Sequence, residues 1–256
     1  MGALGDMAST GRAVAADSVF RCILRNLLKL GPVPVAIDNV QDWTGWLPGD
    51  SGPRVNGPSH QAPHRQGCRR VGNYLMAALF SRPLLVIDTE TTGLPRHKHA
   101  QVIEIGAVLL SCSGHEIASC GALVRCPLPL PPEADYAMKV NQINPAHIAE
   151  AGDAMMSSRL LWAIVKEIDP MVTAYNVGFD RPMLVKSGIR FGAAERWGPC
   201  IMLTAKRAMG VSKWPKLSAA AEHYGVTVEG QAHRAITDAR TAAGVAIAIA
   251  RAGDWP

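Results

Sequence analysis

No two of the six cysteines, Cys22, Cys68, Cys112, Cys120, Cys126 and Cys200, stand in CxxC spacing or form a regular framework. That argues against a zinc ribbon and a disulfide-stapled secreted domain, and fits a reducing, cytoplasmic setting. No apolar run approaches the ~20 residues that a membrane-spanning helix needs. The small-residue stretch over residues 242–250 is far too short. Acidic excess is also lacking, since 26 Lys and Arg stand against 21 Asp and Glu, a net charge of +5. Such a chain is compatible with a polyanionic partner without demanding one. Internal repeats are missing as well. What is present is a chain of 256 residues, 48 % of them apolar, ample for one globular domain and an appendage.

The texture changes along the chain. Residues 1–80 read as an N-terminal extension with a flexible linker, and residues 81–256 as the folded domain. The extension holds one amphipathic helical candidate at 18–31, with Arg21, Arg25 and Lys29 spaced by four. Residues 46–67 are dense in Pro, Gly, Ser and Asn and carry neither a helix nor a strand period. The basic helix has the character of a transit peptide, against which Asp6 and Asp17 count; translation starting near Met76 is the other reading.

From Pro83 onward, LLVID and VIEIGAVLL have strand length and composition. Leu123 and Val124 belong to a third strand, and MVTAYN at 171–176 to a fourth. Helices are expected over 160–168, from about Pro182, in MLTAKRAMG, in LSAAAEHYG and after Ala235. Strands first and alternation later predict an α/β fold, a mixed sheet flanked by helices.

The stretch VIDTETTGL, residues 86–94, ends an apolar run in two acids. On a strand Asp88 and Glu90 point the same way and repel each other, which a fold tolerates when a cation sits between them or one is protonated. A second acid, Asp180 in TAYNVGFDRPML, falls at a strand-to-helix junction; alone it would be a plain N-cap. The third stretch is HRAITDARTAA. There His233 and Asp238 lie about 140° apart on an ideal helix, so they converge only if His233 sits in the preceding loop. Four acids and one His, in the order acid-x-acid, acid, His-x4-acid, describe a metal site. Carboxylates without thiolates suit Mg²⁺ or Mn²⁺. Two such ions ~3.5–4 Å apart clamp the oxygens of an in-line phosphoryl displacement. A His of ordinary pKa can take a proton from water near neutrality.

On the three motifs VIDTETTGL, AYNVGFDRPML and HRAITDA, residues 83–250 resemble the DEDDh 3′-to-5′ exonucleases of the ribonuclease-H-like superfamily, and among them the proofreading epsilon subunit of bacterial DNA polymerase III. The resemblance implies a ribonuclease-H-like sheet and five catalytic residues. Asp88, Glu90 and Asp238 would hold one divalent ion, Asp88 would bridge to a second that Asp180 supports, and His233 would be the general base. It further implies hydrolysis at nucleic-acid 3′ ends, single-stranded DNA favoured, with release of nucleoside 5′-monophosphates and a DNA polymerase complex as a prospective partner. Thr91, Thr92 and Leu94 would line the pocket of the terminal nucleotide. Asn141, in MKVNQINPAHI, would be a nucleotide contact, while Asn144 in the same segment is equally suited to cap a helix. Glu104 in VIEIG is expected as a buried structural partner. Many relatives carry an Asp near the position of Ile201, which this chain lacks. Residues 206–217, KRAMGVSKWPKL, join four cations to Trp214, a pattern of a phosphate-tracking surface or of a solvated helix face.

Three other readings use the same residues. Aspartyl-phosphate phosphatases also end a strand in acid-x-acid, but their second acid is Asp, and they lack His-x4-Asp. A 3′-to-5′ exoribonuclease shares all three motifs. A catalytically inactive nucleic-acid-binding module of the same fold would need none of the five residue types, yet all five are here.

Overall fold

The computed structural model describes residues 78–154, 161, 164–166, 168–190 and 196–256. The expected helix over 18–31, the linker over 46–67 and the alternative start at Met76 lie outside them. β1 (Leu84–Thr91), β2 (Val102–Leu110), β3 (Glu116–Leu123) and β4 (Met171–Ala174) form one sheet in the order β3-β2-β1-β4. β2 runs antiparallel to both neighbours, and β4 lies parallel to β1, so the sheet is mixed. β2 is buried at every position. A strand covered on both faces reads as an unbroken apolar run, which is how VIEIGAVLL reads apart from Glu104.

Alternation along β1 divides the core. Leu84 and Val86 pack with Val108 and Leu110 against α4 (Ile201–Ala208), α5 (Leu217–His223) and α6 (Ala235–Arg251). Leu85 and Ile87 pack with Leu109 on the other face, where α3 (Val177–Lys186) contributes Met183 and Leu184. Two short helices, α1 (Ala134–Asn141) and α2 (Pro145–Glu150), stand between β3 and β4 in the chain.

The close approach of α6 to the sheet positions the site. Its buried face is built of small side chains, Ala239, Ala242, Ala243 and Ala246 among them. Beneath its first turn lies Gly106 of β2, where a β-carbon would fall 2.1 Å from the carbonyl oxygen of Ala235. No side chain larger than hydrogen fits there.

Several elements depart from the sequence reading. The third strand is eight residues long and ends at Leu123. α3 starts at Val177, so Pro182 lies inside the helix and Asp180 in its first turn, with Asn176 as the N-cap. Pro182 forgoes only the bond to the Gly178 carbonyl one turn back. α1 and α2 were not foreseen as helices, although Asn144 does cap α2 by accepting from the Ala146 N–H at 2.9 Å. Phe80, read as extension, is buried and packs edge-to-face on Trp255 with centroids 5.4 Å apart. Cys120, Cys126 and Cys200 are free thiols. Among the described residues no helix is long and apolar enough to cross a membrane.

Candidate active site

The end of β1 outruns its parallel neighbour. β4 stops at Ala174, opposite Ile87, leaving the Thr89 N–H beyond the reach of strand pairing. Asp180 takes that place. Its Oδ1 accepts from the Thr89 N–H at 3.1 Å and from the Thr89 hydroxyl at 2.8 Å, fixing the first turn of α3 to the edge of the sheet. Asp88 and Glu90 alternate with Thr89 and therefore face α6, as the spacing predicts.

Across from Glu90 on β2 stands Glu104, 2 % exposed. Its carboxylate accepts Arg234 Nη2 at 2.6 Å, Arg234 Nε at 3.1 Å and the Ala235 N–H at 3.0 Å. These bonds pin the turn before α6, in which His233 adopts a left-handed backbone with φ +59°. His233 thus precedes the helix and Asp238 lies in its first turn, the arrangement their spacing requires. Glu90, His233 and Asp238 present ligand atoms all within 4.8 Å of one another.

Burial and mutual repulsion act together on these acids. Burial raises Asp88 well above the usual carboxylate range, with the charges of Asp180, Asp238, Glu90 and Glu104 adding to it. Glu90 is pushed up to about 8 by burial, then by Asp238, Glu104 and Asp180, while Arg234 pulls the other way. Asp180 rises to about 7 through burial, against the two Thr89 hydrogen bonds. Burial raises Asp238 too, opposed chiefly by His233. A divalent cation of oxygen-seeking character fits this donor set. It would turn the crowding of carboxylates into ligation, and one imidazole with no thiolate matches magnesium or manganese better than zinc.

The residues expected at the nucleotide are placed differently from one another. Leu94 is 38 % exposed. Thr91 and Thr92 are buried, and their hydroxyls serve the loop itself. Thr91 Oγ1 donates to the Gly93 carbonyl at 2.8 Å, and Thr92 Oγ1 accepts from the Gln101 N–H at 2.9 Å. Asn141 is 1 % exposed, its Oδ1 accepts from the Ile143 N–H at 3.0 Å, and its Nδ2 is buried without a partner. The end of α3 also fastens the loop after β1, because Lys186 Nζ donates to the carbonyls of Pro95 and His97, and the Oγ of Ser187, the C-cap, accepts from the Val102 N–H at 2.8 Å.

Sequence reasoning missed Arg234 and Lys186. A cation next to the motif His, with a lone acid in an apolar strand, was the one signal for the Glu104–Arg234 pair.

The exonuclease family model, of the RNase T type, matches residues 85–246. The chain belongs to the exonuclease family. Asp88, Glu90, Asp180, His233 and Asp238 all fall within the matched residues, in the order acid-x-acid, acid, His-x4-acid, and the enzyme is a nuclease, a hydrolase acting on nucleic acids, of a family that uses divalent metal ions. It is similar to the uncharacterized exonuclease CP81 of Escherichia phage 186, 29 % identical over 193 residues, 66 % of this chain and 89 % of that one. Its fold is similar to the nuclease domain of 3′hExo, a DEDDh family member bound to rAMP, with a TM-score of 0.56, 18 % identity, and coverage of 68 % of this chain and 95 % of that one. Exonuclease X in complex with 5′-overhanging duplex DNA gives a TM-score of 0.52 at 24 % identity, over 68 % and 94 % of the two chains.

Proposed function

We propose that this exonuclease degrades nucleic acid from the 3′ end, single-stranded DNA in preference to RNA, and releases nucleoside 5′-monophosphates. The observation that carries the reading is the meeting of Glu90, His233 and Asp238 within 4.8 Å, beside Asp88 and with Asp180 fixed at the end of the same strand. Asp88, Glu90, Asp180 and Asp238 would hold two divalent ions, Mg²⁺ or Mn²⁺, which stabilise charge on the phosphoryl oxygens and on the entering and leaving oxygens when bound.

The chain's own groups account for the rest. His233 is exposed beside Glu90 and Asp238, so Nδ1 or Nε2 is placed to take a proton from the attacking water. Asp180 keeps the end of β1 in register with α3. Leu94, exposed on a loop held by the Thr91 and Thr92 hydroxyls and by Lys186, packs on the terminal base. Buried Thr91 and Thr92 shape that pocket through the backbone. The ETTGL motif and its likeness to the epsilon pattern favour DNA; the rAMP bound to one structural relative is the ground for a second reading, an exoribonuclease. A cytoplasmic setting and a place beside a DNA polymerase belong to the same proposal.

The test is a gel time course on matched 5′-labelled single-stranded DNA and RNA oligomers, with Mg²⁺, Mn²⁺ or chelator, beside Asp88→Ala. The expected result is a metal-dependent ladder shortening from the 3′ end, faster on DNA and missing in the variant. Binding of both oligomers with cleavage of neither would replace this reading with that of a binding module.

A further inference from the structure

The loop between α4 and α5 carries the feature that the catalytic cluster leaves unexplained. Trp214 is 67 % exposed, next to Lys213 and two residues before Lys216, both exposed as well. An indole offers the largest apolar face of any side chain, and one standing in water between two cations is the combination from which single-strand-binding surfaces are built.

The loop is held at both ends. On one side the Val211 N–H donates to the Lys206 carbonyl at 3.2 Å and Gly210 turns the chain at φ +66°. On the other the buried Tyr175 hydroxyl donates to the Pro215 carbonyl at 2.8 Å. Tyr175 is itself fixed, because its carbonyl accepts from the Met202 N–H at 2.8 Å and the Cys200 thiol at 3.2 Å. The backbone is thereby anchored on both sides of Trp214.

Tyr175 also locates the loop. β4 is parallel to β1 with Ala174 opposite Ile87, so the next residue, Tyr175, comes alongside Asp88. Neighbouring strands lie ~4.8 Å apart. Tyr175 packs in the same core layer as Leu84 and Val86, the face that Asp88 and Glu90 also share. The Tyr175 hydroxyl, from the strand position beside Asp88, therefore ties Pro215 and its neighbours to the β4 side of the sheet. His233 stands on the opposite, β2 side, where Glu104 holds its turn.

We propose that Trp214, with Lys213 and Lys216, is a stacking platform for single-stranded nucleic acid, on which a base upstream of the 3′-terminal nucleotide stacks while the two lysines meet the adjoining phosphates. Indole faces accept any base, and ammonium groups any phosphate, so the platform is tolerant of sequence and takes DNA or RNA. It demands an unpaired base, because a duplex hides the faces the indole needs. The proposal rests on the nuclease reading only for where the 3′ end lies.

The test uses the full chain in chelator, where nothing is cleaved, and follows the anisotropy of 5′-fluorescein thymidine and uridine 16-mers. Trp214→Ala is expected to weaken binding of both by roughly 5- to 150-fold, and Trp214→Phe to restore most of it. Lys213→Gln with Lys216→Gln is expected to reduce the slope of log affinity against log salt by about 1.4, two phosphates on a single strand. Hydrolysis of the p-nitrophenyl ester of thymidine 5′-monophosphate, too short to reach the loop, is expected to be unchanged in Trp214→Ala. Equal binding by Trp214→Ala and the wild type would overturn the platform, and so would equal loss of ester hydrolysis, which would make Trp214 part of the site's framework. If binding still depended on Trp214 while the wild type with Mg²⁺ or Mn²⁺ gave no shortening of 5′-labelled oligomers from the 3′ end, the platform would stand and the 3′-end proposal would fall.

Discussion

Glu104 grips Arg234 with both carboxylate oxygens across 130 positions of sequence, and the residue it grips is the neighbour of His233. The ion pair is a positioning device. Removing the guanidinium would leave Glu104 buried, facing Glu90 with no compensating charge. Arg234→Ala is expected to cost ~2–4 kcal/mol of stability and to lower kcat far more than it raises KM, since the turn that presents His233 loses its anchor. Glu104→Gln keeps an acceptor for the Ala235 N–H and is expected to cost only ~1 kcal/mol. Denaturant melts together with steady-state kinetics on a short oligomer check both.

Gly106 sets how closely α6 lies on the sheet. A methyl group there meets the Ala235 carbonyl at 2.1 Å, so either helix or strand must move. Gly106→Ala is expected to destabilise by about 3 kcal/mol and to suppress cleavage by drawing Asp238 and His233 away from Glu90. Gly152→Ala, where an added β-carbon finds nothing within 4 Å, is the control and is expected to be nearly silent. Thermal melts of the two variants, with activity measured well below the midpoint, make the comparison.

Stability of the chelated protein should fall as pH rises. Glu90 titrates at about 8 and Asp180 at about 7 in the folded chain, against about 4 when unfolded. Between those values the folded state holds protons that the unfolded chain has released. Their contribution is fully present below about pH 4 and is lost as pH passes 7 and then 8. The midpoint of unfolding is expected to drop from pH 5 to pH 8 in chelator, with a flatter profile in Glu90→Gln. Mg²⁺ or Mn²⁺ is expected to raise it most at pH 8, because the ions bind the deprotonated acids.

His233 and Asp238 separate proton transfer from ligation. His233→Ala is expected to reduce turnover by roughly 10²- to 10⁴-fold while leaving the midpoint of a Mn²⁺ titration close to that of the wild type. Asp238→Asn is expected to abolish cleavage, to shift the Mn²⁺ midpoint upward, and to stabilise the chelated protein by removing one of several crowded charges. Pairing each activity assay with the metal titration tells the two roles apart.

Much of this site is legible in the chain because its geometry is local. Asp88 and Glu90 share a face because strands alternate, and His233 must leave the helix because five residues do not return to the same side of one. The apolar run of β2 announces a strand covered on both sides, and the Ala-rich run after Ala235 announces a helix that can come close. Pro182 misled the start of α3, since a proline suits the early turns of a helix as well as its first position. The burial of Asn141 and Thr92 was illegible, because exposure depends on what folds over a residue. Residue types, strand and helix periods, and the order acid-x-acid, acid, His-x4-acid were determined by the sequence alone, because each is a property of near neighbours. The Glu104–Arg234 pair, the contact of Gly106 with Ala235 and the filling of the Thr89 edge by Asp180 were decided by the tertiary structure alone, because each joins segments that only packing brings within a few ångströms.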